Sequence, residues 1–416
     1  MNNVKRYFQF LLIVLAAGSI YPLLYLRANY QETILVVYDI SLSQLNSLYS
    51  FLGISLVLGY FPSGWLADKF SAKKLMSMSL FICGLTGIWF AQIPSYPMLI
   101  IIYGMWGIFS VFTFWSAHLK IVKLIAKREE EGRFFGILDG GRGIVEAVLA
   151  TVALFIFLHV LGNHTDMMKT TAALQGVVYL YSIVMIVVAV LILLFIKDSP
   201  DTPGKQKTNK IDIQDFKKVF NNKFVWLLGL IIFMSYTLAQ TVHYIGGFLQ
   251  TNLNMDVATV GQITVTMLWM RPIGGIVGGF LGDKFGKSNI LMIALAFAAI
   301  FLITLASSPS TMSSLYFQFL ALSTGLMVYT IRGLYWSLLG DCRISPAILG
   351  LSIGFISFIG YLPDFLAPVL NNQFVSLFGE ASGQSAYLIF SGVAGLIAIF
   401  ITFIFKRAIK RNIKKI

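Results

Sequence analysis

The chain has 416 residues, of which 57% are hydrophobic and only 12% charged, with a formal net charge of +13 and a mean hydropathy of +0.80. At roughly 20 apolar residues per bilayer-spanning helix, that content fills about twelve spans with little left over. A soluble fold of this size has nowhere to hide so much apolar surface, which excludes soluble enzymes, nucleic-acid-binding domains and secreted disulfide scaffolds.

The chain opens on a basic stretch, Met1–Arg6, followed by an apolar run. No small-residue cleavage site leads into a soluble domain, so this reads as a first transmembrane helix and not as a signal peptide. Apolar runs fall at 8–28, 43–67, 75–93, 98–119, 135–160, 175–196, 224–250, 259–282, 289–307, 313–339, 347–375 and 385–405. Runs of this length without a two-residue alternation predict helices, not barrel strands. The fold class is therefore an all-α membrane protein with twelve spans. Cys83 and Cys342 lie in or beside apolar runs and form no metal-ligand or disulfide pattern.

The connections alternate in charge. One side carries 26 of the 31 basic residues, among them Lys5, Arg6, Lys69, Lys73, Lys74, Lys120, Lys284, Lys287 and Arg343, and the opposite side only Lys169. Basic loops face the cytoplasm, so both termini are expected inside, in a multi-pass plasma membrane of the bacterial inner-membrane type. The longest polar stretch divides the chain into a six-span bundle at 1–196, a cytoplasmic linker at 197–223, and a second bundle with a basic tail at 224–416. No Gly-x-x-x-x-Gly-Lys-Ser/Thr sequence occurs, which argues against a built-in ATPase. Within the linker, Ile211–Phe220 reads either as a short amphipathic helix with lysines toward anionic lipid or as a solvated connection.

The halves echo each other. Gly64-Trp-Leu66-Ala-Asp68-Lys69-Phe70 follows the second run and Gly279-Phe-Leu281-Gly-Asp283-Lys284-Phe285 the eighth, at an offset of 215. Phe114-Trp115-Ser116 and Tyr335-Trp336-Ser337 repeat at 221. Gly64 and Gly279 are expected to let helices approach closely, and Asp68 and Asp283 to hold a helix end among cations. The alternative is a solvated turn acid beside orientation-setting lysines.

These residues resemble the major facilitator superfamily, whose loop after the second span reads Gly-x-Leu-x-Asp-Arg/Lys-x-Gly-Arg/Lys-Arg/Lys. Ser71 replaces its second glycine here, and the basic pair Lys73-Lys74 sits one place late. The resemblance covers the whole chain. It implies two six-helix bundles around a central cavity lined by spans 1, 4, 7 and 10, with 5, 8 and 11 at the bundle interface and 3, 6, 9 and 12 outside. It also implies gating by Gly64, Asp68 and Lys69 and by Gly279, Asp283 and Lys284.

Ionisable residues inside spans are functional candidates by default. Arg27 is read either as snorkelling to the outer interface or as a substrate ligand. Its surroundings, Tyr25-Leu-Arg27-Ala-Asn29-Tyr30, resemble the first span of the organophosphate:phosphate antiporter branch, where the arginine grips phosphate. That branch's second arginine has no counterpart in Tyr236–Tyr244, which offers Gln240, His243 and Tyr244. Asp139, Arg142 and Glu146 share one helix face, as a self-neutralised triad or as a guanidinium with a proton-exchanging acid. Arg271 precedes Pro272, which weakens and can kink its helix. Arg332 lies near Tyr335 and Trp336, and Asp364 near Tyr361; Asp364 is a salt-bridge partner, a proton site, or both. His118, His159 and His164 read as interfacial, and Asn163-His-Thr165 matches a glycosylation sequon.

Four in-span arginines against three acids favour an anion. The expected function is a secondary transporter moving a small organic anion by alternating access, with proton symport or anion exchange, and with no cofactor, metal or nucleic acid. The alternatives are an exporter of lipophilic drugs and a carrier of zwitterions such as amino acids. A monomer surrounded by membrane lipid is expected, and no arrangement of paired acids or nucleophile and base points to an enzyme.

Overall fold

The computed structural model describes residues 3–125, 131–162, 166–196, 213–342, 344 and 349–413, and among them the regular structure is entirely helical. The α-helices are α1 (Asn3–Ser19), α2 (Tyr21–Leu24), α3 (Arg27–Tyr38), α4 (Leu42–Lys69), α5 (Ala72–Phe90), α6 (Tyr96–Gly107), α7 (Trp115–Ile125), α8 (Glu131–Leu161), α9 (Met167–Phe195), α10 (Ile213–Phe220), α11 (Lys223–Ala239), α12 (Ile245–Leu253), α13 (Val257–Phe285), α14 (Lys287–Ser307), α15 (Ser314–Leu334), α16 (Leu349–Gly360), α17 (Pro363–Phe378) and α18 (Glu380–Ile413).

Each of the twelve predicted runs corresponds to helix. Among the described residues, 11 helical stretches are long and apolar enough to cross a membrane. The third run falls outside those 11; it is the 19-residue α5, which opens on Lys73 and Lys74. Large apolar side chains such as Phe280, Phe155 and Phe400 stand exposed while Asn46, Ser110 and Thr402 are fully buried. That inversion suits hydrocarbon outside and small polar residues packed between helices inside.

Five spans are interrupted. The first breaks between α1 and α3, where Pro22 lacks the N–H that would continue the ladder. The fourth passes from α6 through a π-helical turn, Ile108–Phe112, into α7. In the seventh, α11 and α12 are joined by a 3-10 turn at Gln240–His243. The tenth ends in a 3-10 segment, Tyr335–Cys342, and the eleventh breaks before Pro363. By contrast α13 runs unbroken through Pro272.

The repeat extends beyond the loop motif. α3 ends on Asp39 and α12 on Asn254, both with left-handed backbone at φ 49° and φ 51°. These two positions are again 215 apart. Ser41 then caps α4 by accepting from the Gln44 N–H, and Asp256 caps α13 by accepting from the Thr259 N–H. Both caps keep the same offset, so the duplication is written into the backbone of this connection as well as into its residues.

By packing, the chain divides into two units, Met1–Lys205 with Asp256–Trp269, and Gln206–Met255 with Met270–Ile416. The first part of α13 joins the first unit because Trp269 Nε1 donates to Thr151 Oγ1 at 3.1 Å and Gly261 meets Leu154. In the second unit the glycine expectation needs correction. A Cβ at Gly279 would meet nothing within 4 Å, whereas Gly274, Gly278 and Gly282 lie against Leu326, Thr330 and Leu334 of α15. Spacing by four keeps those three on one helix face and turns Gly279 off it. Of the two readings of the linker, the helix is the one formed. α10 buries Val219 and sets Phe220 against Phe355 at 4.6 Å.

Candidate functional site

In the first unit, α1 crosses α8 closely. A Cβ on Gly18 would lie 2.5 Å from that of Val145, so only glycine permits the approach. The crossing sets Tyr21 against Arg142, whose Cζ is 4.3 Å from the ring centroid. Arg142 Nε donates to Glu146 Oε1 at 2.8 Å. Two members of the predicted triad are thus paired, and the Asp139 side chain lies outside the described residues.

Arg27 is 1% exposed, which overturns the snorkelling alternative: the break after α2 turns it inward. Its Nη1 donates to Asn46 Oδ1 at 2.9 Å and its Nη2 to Gln31 Oε1 at 2.7 Å. Its backbone N–H donates to the Tyr49 hydroxyl, and its guanidinium lies 4.9 Å from that ring. Arg27 therefore fastens the broken first span to α4. His118 is also corrected. It is buried, not interfacial, with its ring 5.0 Å from Phe114 and within the field of Arg142.

In the second unit, α11 crosses α16 through Gly229 against Ile359 and Gly360 against Ile232. This brings Tyr236 to Tyr361, with ring centroids 4.9 Å apart, and to Asp364. The Tyr236 hydroxyl donates to Asp364 Oδ1 at 2.9 Å, and the Gln240 amide donates to the same oxygen. Trp336 Nε1 donates to the Tyr361 hydroxyl at 2.8 Å.

Arg332 lies 5.7 Å from the Tyr236 ring, with Tyr335, Tyr329 and Tyr361 also around it. It is partly exposed. Among the described residues no acceptor is hydrogen-bonded to its guanidinium and no carboxylate pairs with it. Five predicted residues, Gln240, Arg332, Trp336, Tyr361 and Asp364, thus gather around Tyr236, and buried Tyr335 borders them. The Tyr244 ring packs on Tyr387 of α18 at 4.7 Å. His243 is half-buried at the end of the 3-10 turn, and Arg271 is half-buried in α13.

Residues 7–368 match the family model of the Major Facilitator Superfamily. The chain belongs to that superfamily. It is 24% identical to the inner membrane protein YqcE of Escherichia coli K12, covering 98% of this chain and 96% of that one. With the inner membrane protein YihN of the same organism it shares 26% identity, over 87% of this chain and 86% of that one. Its fold matches a bacterial homologue of the human lysosomal transporter Spinster with a TM-score of 0.77 at 14% identity, covering 99% of both chains. This facilitator is accordingly a multi-pass membrane protein and a secondary transporter, not an enzyme.

The facilitator loop motif is held differently in its two copies. In the first, the packing of Gly64 and the Asp68 side chain lie outside what is described. Lys120 of α7 donates to the Ala67 carbonyl at 2.7 Å, and Lys69 is exposed. A cation on the last carbonyls of α4 is where the helix dipole favours it. In the second copy Asp283 and Lys284 are exposed, and the ties run through other residues. Lys287 Nζ donates to the Ser337 carbonyl at 3.4 Å, and Lys406 of α18 donates to Asn289. Asp283, Lys287, Asn289 and Lys406, with Asp341, border a cavity of about 320 Å³. Arg343, His164 and the Asn163 sequon lie outside the described residues.

Proposed function

We propose that the transported substrate is a small organic anion, a carboxylate, sugar acid or phosphate ester, and that Arg332 binds its acidic group. The observation that carries this reading is the Arg332 guanidinium, which among the described residues has tyrosine rings around it and no acceptor bonded to it. A guanidinium in a membrane-spanning segment is expensive unless paired, and a bidentate carboxylate or phosphate supplies the missing acceptors. Arg142 and Arg27 already have protein acceptors, so they serve the scaffold first. Movement is by alternating access, driven by proton symport or by exchange for a counter-anion, with Glu146 as the proton-exchanging group and Asp364 as a carboxylate held by Tyr236 and Gln240. The charge bias of the connections supports termini on the cytoplasmic side.

A thermal-shift screen of anionic, cationic and neutral metabolites on the purified protein tests the reading. Anions are expected to raise the melting temperature, and Arg332→Gln to abolish the rise. Stabilisation by cationic or neutral compounds alone, unchanged in Arg332→Gln, would overturn it.

A further inference from the structure

The second unit specifies more than a charge. Asp364 is buried, and its Oδ1 accepts from two neutral donors, the Tyr236 hydroxyl and the Gln240 amide. A carboxylate offers only acceptors, so the NH2 of Gln240 must face it. That fixes the amide's orientation and turns Gln240 Oε1 away from Asp364. Among the described residues no group donates to this oxygen. The site therefore presents an oriented, neutral acceptor and, linked to it through Asp364 and Tyr236, a guanidinium to which no acceptor is bonded among the described residues. Tyr236 spans the two, with its ring beside Arg332 and its hydroxyl on Asp364. Beside Tyr236 stands the Tyr361 ring, with Trp336 bonded to its hydroxyl; both rings are partly exposed and suit the C–H faces of a saturated ring.

Resting on the anion reading above, we infer that the substrate is a hydroxylated acid of the sugar-acid class, its acidic group on Arg332 and a hydroxyl donated to Gln240 Oε1. Asp364 and Tyr236 are then positioning residues that act through Gln240. A neutral amide oxygen suits a neutral hydroxyl. An ammonium group would call for a carboxylate, and the acceptor oriented here is a neutral amide oxygen. A site built to bond a substrate hydroxyl rejects analogues that lack it far more sharply than an apolar pocket rejects an extra methylene.

The test measures binding to the purified full-length protein by calorimetry, using gluconate and glucuronate, the plain carboxylates propionate and succinate, inorganic phosphate, glucose and serine. At least one sugar acid is expected to bind tenfold or more tightly than any plain carboxylate. Gln240→Leu is expected to erase that ratio while leaving the weak binding of plain carboxylates. Asp364→Asn, which lets the amide turn over, is expected to reduce the ratio, as is Tyr236→Phe. Arg332→Gln is expected to remove both kinds of binding. Size-exclusion profiles establish that each variant is folded; where Gln240→Leu is not, Tyr236→Phe, which keeps the ring, carries the test. Plain carboxylates or phosphate binding as tightly as the sugar acids, serine binding more tightly than either, or an unchanged ratio in the folded variants would overturn the inference and leave the anion reading standing. If no acid binds, both fail.

Discussion

The two units solve the same problem differently. Tyr21 and Tyr236 are 215 residues apart, the offset of the loop motif, and each contacts a guanidinium and stands one bond from an acid. In the first unit the acid and the guanidinium are bonded to each other, Arg142 to Glu146, with Tyr21 stacked on the cation. In the second they are apart: Asp364 takes the Tyr236 hydroxyl, and Arg332 rests near the ring without an acceptor among the described residues. In one unit the cation is bonded to an acid, and in the other no acid pairs with it among the described residues. A duplicated scaffold can thus hold backbone and tyrosine constant while its charges take different tasks.

The largest expected effect breaks the first arrangement. Glu146→Ala leaves a largely buried guanidinium without its carboxylate and should destabilise the ligand-free protein by about 3–5 kcal/mol. Arg332→Leu should leave the unfolding midpoint in detergent unchanged or raise it. Equal losses in the two variants would erase the contrast between the units. A middle-sized effect concerns the tyrosine of the second unit. Tyr236→Phe removes a hydrogen bond to a charged group worth about 1.5–3 kcal/mol, and a denaturant midpoint equal to that of the parent protein would show that this hydroxyl does not hold Asp364.

The smallest effect concerns the repeated caps. Ser41→Ala and Asp256→Ala should each cost about 1 kcal/mol at neutral pH, but only the second should depend on pH. Bonds from the Thr259 side chain and backbone hold the Asp256 carboxyl below its ordinary value of 3.8. A depressed folded-state pKa gives stability that is present above the unfolded value and lost as pH falls through the folded one. The Asp256→Ala deficit should therefore shrink below about pH 4, while the Ser41→Ala deficit persists. Melting curves from pH 7 down to pH 3 would reveal it.

What could be read without coordinates was what is local. Twelve apolar runs, alternating basic loops and the Gly64/Gly279 motif lie in short windows, and the helices formed where those windows are. The offset of 215 also contained the caps at Ser41 and Asp256 and the pair Tyr21 and Tyr236, which a full register search of the two halves would have found. Which groups meet was not legible, because helix crossings decide it. Gly18 against Val145 puts Tyr21 on Arg142, and Gly360 against Ile232 puts Tyr236 on Asp364. Neither contact follows from composition. His118 looked peripheral because it sits near the end of an apolar run, yet it is buried with its ring against those of Phe114 and Trp115. Gly279 looked like a packing residue because the motif pointed to it, but helical periodicity favours Gly274, Gly278 and Gly282.

The hydrogen bonds on Asp364 carry a mechanical consequence. An intact helix transmits twist along its length, and a break in its ladder does not. Tyr236 lies in the last turn of α11 and Gln240 begins the 3-10 turn that follows it, whereas Asp364 stands just past the break in the eleventh. Both donors cross to that single carboxylate. A twist of α11 therefore has a side-chain route into α17 beside its backbone route into α12, and that side-chain route passes through one buried oxygen.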